Sequence, residues 1–68
     1  MKSVSGKKLC QILESRGWQL ARISGSHYIY SKTNHPTVSV PVHGNKDLRI
    51  GTLKGLMKAS GLLENDLF

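Results

Sequence analysis

The period of the apolar residues changes twice along these 68 residues, and that change limits what the chain can become. Leu9, Ile12 and Leu13 fall at helical spacing. From Trp18 to Val42 the apolar and aromatic residues come instead in short β-type runs, the last alternating as Val38, Val40 and Val42. Ile50, Leu53, Leu56 and Met57 then return to helical spacing. The pattern predicts a helix, three strands and a helix: an α+β fold of order α-β-β-β-α, with a three-stranded antiparallel sheet and two helices on one face. A chain this short buries only about 60% of its unfolded surface, so the core is small. We expect a single domain over residues 1–68, which excludes a multi-domain enzyme and a large buried substrate cavity.

Local signals set the boundaries. Ser5 is a fit N-cap for a helix over 6–16, with Val4 and Leu9 placed as a hydrophobic staple. Gly17 ends that helix and Trp18 is placed to touch Leu13. Trp18–Ser24 and His27–Ser31 read as strands joined by a two-residue turn containing Gly25. Residues 32–36 are turn-formers, Thr37–Val42 is the third strand, and Pro41 assigns it to an edge or a strand end. A loop over 43–47 leads to a helix near 49–60, stopped at Gly61 with Leu62 set to meet Met57. The tail Leu63–Phe68 is too short to assign.

The topology should gather one end of the domain. The first helix and first strand run antiparallel and have similar lengths, about 16 Å and 23 Å from the standard rises per residue. That brings the helix start to the Gly25 hairpin, where the third strand also finishes. Lys7, Lys8, Arg22, His27, His43 and Lys46 then collect there. Strict alternation through a two-residue turn puts Trp18, Leu20 and Arg22 on one face with His27 and Ile29. With Trp18, Leu20 and Ile29 as core, Arg22 and His27 stand at its mouth, and Tyr28 and Tyr30 face away from the helices.

Ten Lys and Arg against four Asp and Glu give a formal charge of +6. Such an excess favours a polyanionic partner, nucleic acid or an acidic protein. The single Cys10 excludes an internal disulfide and a Cys-cluster zinc site, and we read it as core or flank. Three histidines with scattered carboxylates make a poor metal site. No apolar run reaches the ~20 residues of a membrane span or the pattern of a signal peptide, so a cytoplasmic protein is expected.

His27 is the main candidate for chemistry, because imidazole near its ordinary pKa both accepts and donates protons at neutral pH. A strand histidine with no task is the plainer alternative. Lys7 and Lys8 occupy the first helical turn, where the macrodipole disfavours cations by about 0.3–1 kcal/mol. Beside free helix amides they form a phosphate seat, or a solvated face that tolerates the cost. His43 is placed to support His27, to bind phosphate, or only to cap its turn. His35, before Pro36 at the opposite end, is expected to be solvated. Tyr28 and Tyr30 could stack on bases, but ordinary cover of a sheet face is the preferred reading. Arg16, Lys32, Arg49, Lys54 and Lys58 read as general electrostatics.

Several pieces, in this order and spacing, resemble the HicA-type (YcfA-like) mRNA interferase toxins. They are Gly6-Lys7-Lys8-Leu9, Arg16-Gly17-Trp18, Gly25-Ser26-His27, Pro41-Val42-His43-Gly44, Gly51-Thr52-Leu53 and Ser60-Gly61-Leu62. The resemblance covers almost the whole chain. It implies a double-stranded-RNA-binding-domain-like fold and metal-independent endoribonuclease activity on mRNA, with no cofactor. It also implies silencing by a HicB-type antitoxin, with oligomers formed through that complex. It assigns His27, of the Gly-Ser-His element, as the catalytic residue. Lys7, Lys8, Arg22, Ser26, His43 and Lys46 are the expected supporting or RNA-binding residues. The chain departs from the family at Lys8, where an acid often follows the lysine, and at Leu63, where a polar helix-start residue is common. A non-catalytic RNA-binding module of the same fold is the alternative.

Overall fold

The computed structural model describes residues 3–67. Its elements are α1 (Gly6–Ser15), β1 (Gln19–Ser24), β2 (His27–Lys32), β3 (His35–Pro41), α2 (Ile50–Ser60) and a one-turn α3 (Glu64–Leu67). The sheet is antiparallel in the order β1-β2-β3, so the proline-bearing β3 is an edge strand, where a missing N–H costs least. Buried Tyr30, Val38 and Val40 alternate with more exposed neighbours along β2 and β3, so both helices cover one face.

The caps follow from the sequence. Ser5 is extended and its hydroxyl accepts from the Lys8 N–H at 3.1 Å. At the far end Trp18 N–H donates to the Leu13 carbonyl and Gly17 N–H to that of Glu14, the paired bonds of a Schellman motif. Gly17 has φ of 92°, a conformation costly for any residue with a Cβ. Leu62 N–H donates to Met57 across Gly61, and both side chains are buried. The tail forms α3, held by the Leu63 N–H bond to Asp66 and the Arg16–Asp66 ion pair, with Leu67 buried. Phe68 lies outside the described residues.

Two features depart from strict alternation. The β2–β3 turn is tighter than the sequence suggests: Lys32 pairs with His35, and Asn34 takes a positive φ of 65°. In the first hairpin, Ser24 pairs with His27 and Arg22 with Ile29, but Leu20 pairs with Tyr30, so Ala21 is the extra residue of a β-bulge. The bulge turns Leu20 onto the face of Ile23, Tyr28 and Tyr30, which is the helix face.

The expected core assignment is therefore corrected. Tyr30 is fully buried and Tyr28 packs against the core, rather than facing away from the helices. Leu20 stands 43% exposed at the uncovered side of that face, and Ile29 is half-buried on the other face with Arg22 and His27. Trp18 is buried as expected. Ile50, assigned to the α2 stripe, is exposed, while Leu53 and Met57 are buried.

Segment 3–5 is tied to the loop before α2. Leu48 N–H donates to the Val4 carbonyl, Ser5 and Asp47 form a β-bridge, and Ser3 Oγ donates to Asp47 Oδ2 at 2.7 Å.

Candidate nucleic-acid interface

His27 opens β2 directly after the Gly25-Ser26 loop, paired with Ser24 on β1 and Pro41 on β3. Gly25 alone of the two loop residues has positive φ, the pattern of a II′ turn, which matches the strand twist. Neighbours alternate between faces, and Tyr28 points to the core, so His27 projects from the open face. Its side chain is exposed.

Arg22 shares that face one pair along, because its partner is Ile29. Diagonal neighbours of this kind lie about 7–8 Å apart, within reach of a long side chain. On the other flank stands Pro41, the β3 partner of His27. Pro41 also lines a hollow of about 290 Å³ with His43, Lys46, Asp47, Arg49 and Thr52. The hollow exists because Lys46 N–H turns back onto the His43 carbonyl, and because the Ser3–Asp47 and Val4–Leu48 bonds fix the loop's far side. Ser26 contributes its backbone: its carbonyl accepts from Val42 N–H at 2.7 Å and joins the hairpin to the end of β3.

The start of α1 reaches the same end. Gly6 lies so close to β3 that a Cβ there would sit 2.2 Å from the Pro41 carbonyl oxygen. The two lysines that follow do not join His27, however. Lys7 lines a groove of about 560 Å³ on the helix side, with Gln11, Leu20, Tyr28 and Asn45 among its walls. Lys8 is exposed on α1. The backbone ends thus meet as the topology predicts, but the side chains separate. Arg22 and His27 stand on the open face, Lys7 lines the groove on the helix side, and the His43–Lys46 hollow lies between the end of β3 and the start of α2.

Several of the other titratable groups have structural partners. Tyr30 donates to the Glu14 carboxylate at 2.5 Å, and burial together with this bond raises the phenol well above its ordinary pKa. Burial likewise pushes the Cys10 thiol up. His35 is exposed at the opposite end, its Nδ1 2.8 Å from the Thr33 carbonyl and its ring edge-on to Trp18. Lys32 donates to the Arg16 carbonyl. Sequence reasoning missed Arg49, whose placement in the hollow depends on the Val4–Leu48 pairing that no local pattern announces.

Among the described residues no three His, Cys, Asp or Glu side chains come together as a metal centre, and no helix is long and apolar enough to cross a membrane. Comparison with curated proteins finds no match. The sequence pattern of one family, described as "HicA toxin of bacterial toxin-antitoxin", matches residues 6–62.

Proposed function

This chain belongs to the HicA toxin family, the toxins of toxin–antitoxin systems, and on that premise we propose that it is a metal-independent endoribonuclease that blocks translation by cutting mRNA in the cytoplasm. The whole chain acts as one domain, with His27 as general acid–base. The observation that carries this reading is the exposed His27 on the open face, flanked by Arg22 and by the cationic hollow beyond Pro41.

RNA brings its own nucleophile, the 2′-hydroxyl beside the scissile phosphate. His27 takes that proton or protonates the departing 5′-oxygen, help worth about 10²–10⁴-fold. The 2′-oxygen bonds to phosphorus as the P–O5′ bond breaks, leaving a 2′,3′-cyclic phosphate and a 5′-hydroxyl. Arg22 stabilises the extra negative charge of the phosphorane, a role for which a guanidinium is suited by its fork of donors. In-line attack requires a backbone out of A-form geometry, so the substrate is single-stranded or flexible RNA. DNA lacks the 2′-hydroxyl and is spared. Silencing follows when a HicB-type antitoxin covers the His27 end.

The test is incubation of metal-stripped protein with labelled RNA, followed by end-group analysis. The parent chain should give cyclic phosphate and 5′-hydroxyl ends on single strands and little product on the matching duplex. His27→Ala should keep its fold and its RNA affinity while losing at least 100-fold in rate, at the low end of the general acid–base range. Equal cleavage by His27→Ala would overturn the role of His27. RNA binding without any cut ends from the parent chain would leave a non-catalytic RNA-binding module.

A further inference from the structure

The hollow beside Pro41 holds more positive charge than its place in the fold requires. Lys46 and Arg49 line it with the His43 imidazole and the Thr52 hydroxyl. The carboxylate in its wall, Asp47, already accepts from Ser3 Oγ. Arg49 stands at the N-cap of α2 and supplies no side-chain cap bond, and the first turn of α2 contains no acid. A cation at the positive end of a helix is disfavoured, a cost that a bound anion would offset. Among the described residues no side-chain bond of Arg49 accounts for this arrangement: its backbone carbonyl serves α2 by accepting from Leu53, and its side chain is exposed.

The hollow also has a fixed relation to the ring that does the chemistry. Pro41 forms part of its wall and pairs with His27 on the open face. A strand whose scissile phosphate lies at His27 therefore meets this hollow next as it passes the β3 edge. We propose that the hollow seats a backbone phosphate of the RNA strand flanking the one that is cut, with Arg49 and Lys46 as its cationic holders. The proposal rests on the reading of the chain as RNA-cleaving, and it assigns Arg49 a substrate-positioning role. A flanking phosphate is bound alike before and during reaction, so the contribution falls on affinity and KM rather than on kcat.

The experiment measures binding of a short single-stranded RNA with every 2′-oxygen methylated, which cannot be cut, over a salt series. One lost phosphate contact lowers the slope of log affinity against log salt by about 0.7. Arg49→Ala and Lys46→Ala should each produce that drop, Arg49→Lys should restore it, and Lys58→Ala should leave the slope as in the parent chain. Lys58 carries the same charge in the last turn of α2 and serves as the control for general electrostatics. Thermal melts establish that each variant is folded. An unchanged slope in Arg49→Ala and Lys46→Ala overturns the proposal, as does an equal drop in Lys58→Ala or an absence of RNA binding by the parent chain. Because the probe cannot react, failure to cut ordinary RNA would sink the catalytic reading while leaving this result to stand on its own.

Discussion

Gly6 has the Pro41 carbonyl where a side chain would begin. The contact is with backbone, at 2.2 Å from an ideal Cβ, so no rotamer change relieves it. Gly6→Ala must push α1 away from the end of β3 or bend one of them, and overpacking of this kind costs about 1–3 kcal/mol. The expected outcome is a melting temperature lower by about 4–8 °C per kcal/mol, the usual sensitivity of a chain this size. A melt unchanged from the parent would show that the helix start is not held against β3. Activity should fall further than stability alone explains, since Pro41 is the neighbour of His27 and the wall of the hollow. From the sequence, Gly6 looked like an ordinary first residue of a helix. Close approach of two backbones leaves no mark in the apolar pattern.

At the scale of elements, α1 is fastened to the sheet by a polar bond inside an otherwise apolar seam. Tyr30 of β2 is buried and donates to Glu14 of α1, beside the buried Cys10. Both the phenol and the thiol are raised above their ordinary values of about 10 and 8.5, so the folded chain keeps protons that the unfolded chain releases. Stability from these groups is therefore fully present below those values and lost as pH rises past them. Melting temperature should hold through neutral pH and fall from about pH 9 upward, where the unfolded thiol and then phenol ionise. Tyr30→Phe should shallow the alkaline fall while costing about 0.5–1.5 kcal/mol at neutral pH. An alkaline limb identical in Tyr30→Phe and the parent would refute this account. The helices, their caps and the edge placement of β3 were legible in the sequence because each is a local signal: Ser5, Gly17, Gly61 and Pro41. Which sheet face carries the core was not. One extra residue at Ala21 inverts the alternation that assigned Leu20, and a bulge is set by packing across the strands, which no run of neighbours records. His27 was legible as a residue and as a strand start; its projection from the open face was not.

For the whole molecule, the +6 charge acts at longer range than any contact described above. Attraction of this kind steers encounter more than it adds to affinity, and it weakens as the screening length falls from about 10 Å at 0.1 M salt to 3 Å at 1 M. The rate at which a cognate antitoxin associates should drop by at least about tenfold over that range, with a smaller change in dissociation, as measured by stopped flow. An association rate indifferent to salt would show that recognition does not use the charge. The clasp between segment 3–5 and the loop at 47–48 bears on a different matter, the order in which the chain is made. Ser3 and Asp47 lie 44 residues apart, so the fastening that shapes the hollow waits until the translating ribosome has delivered most of the protein. On the proposed reading of the chain as an RNA-cutting toxin, a nascent copy lacks this seat for the messenger it is being read from until that late moment of synthesis.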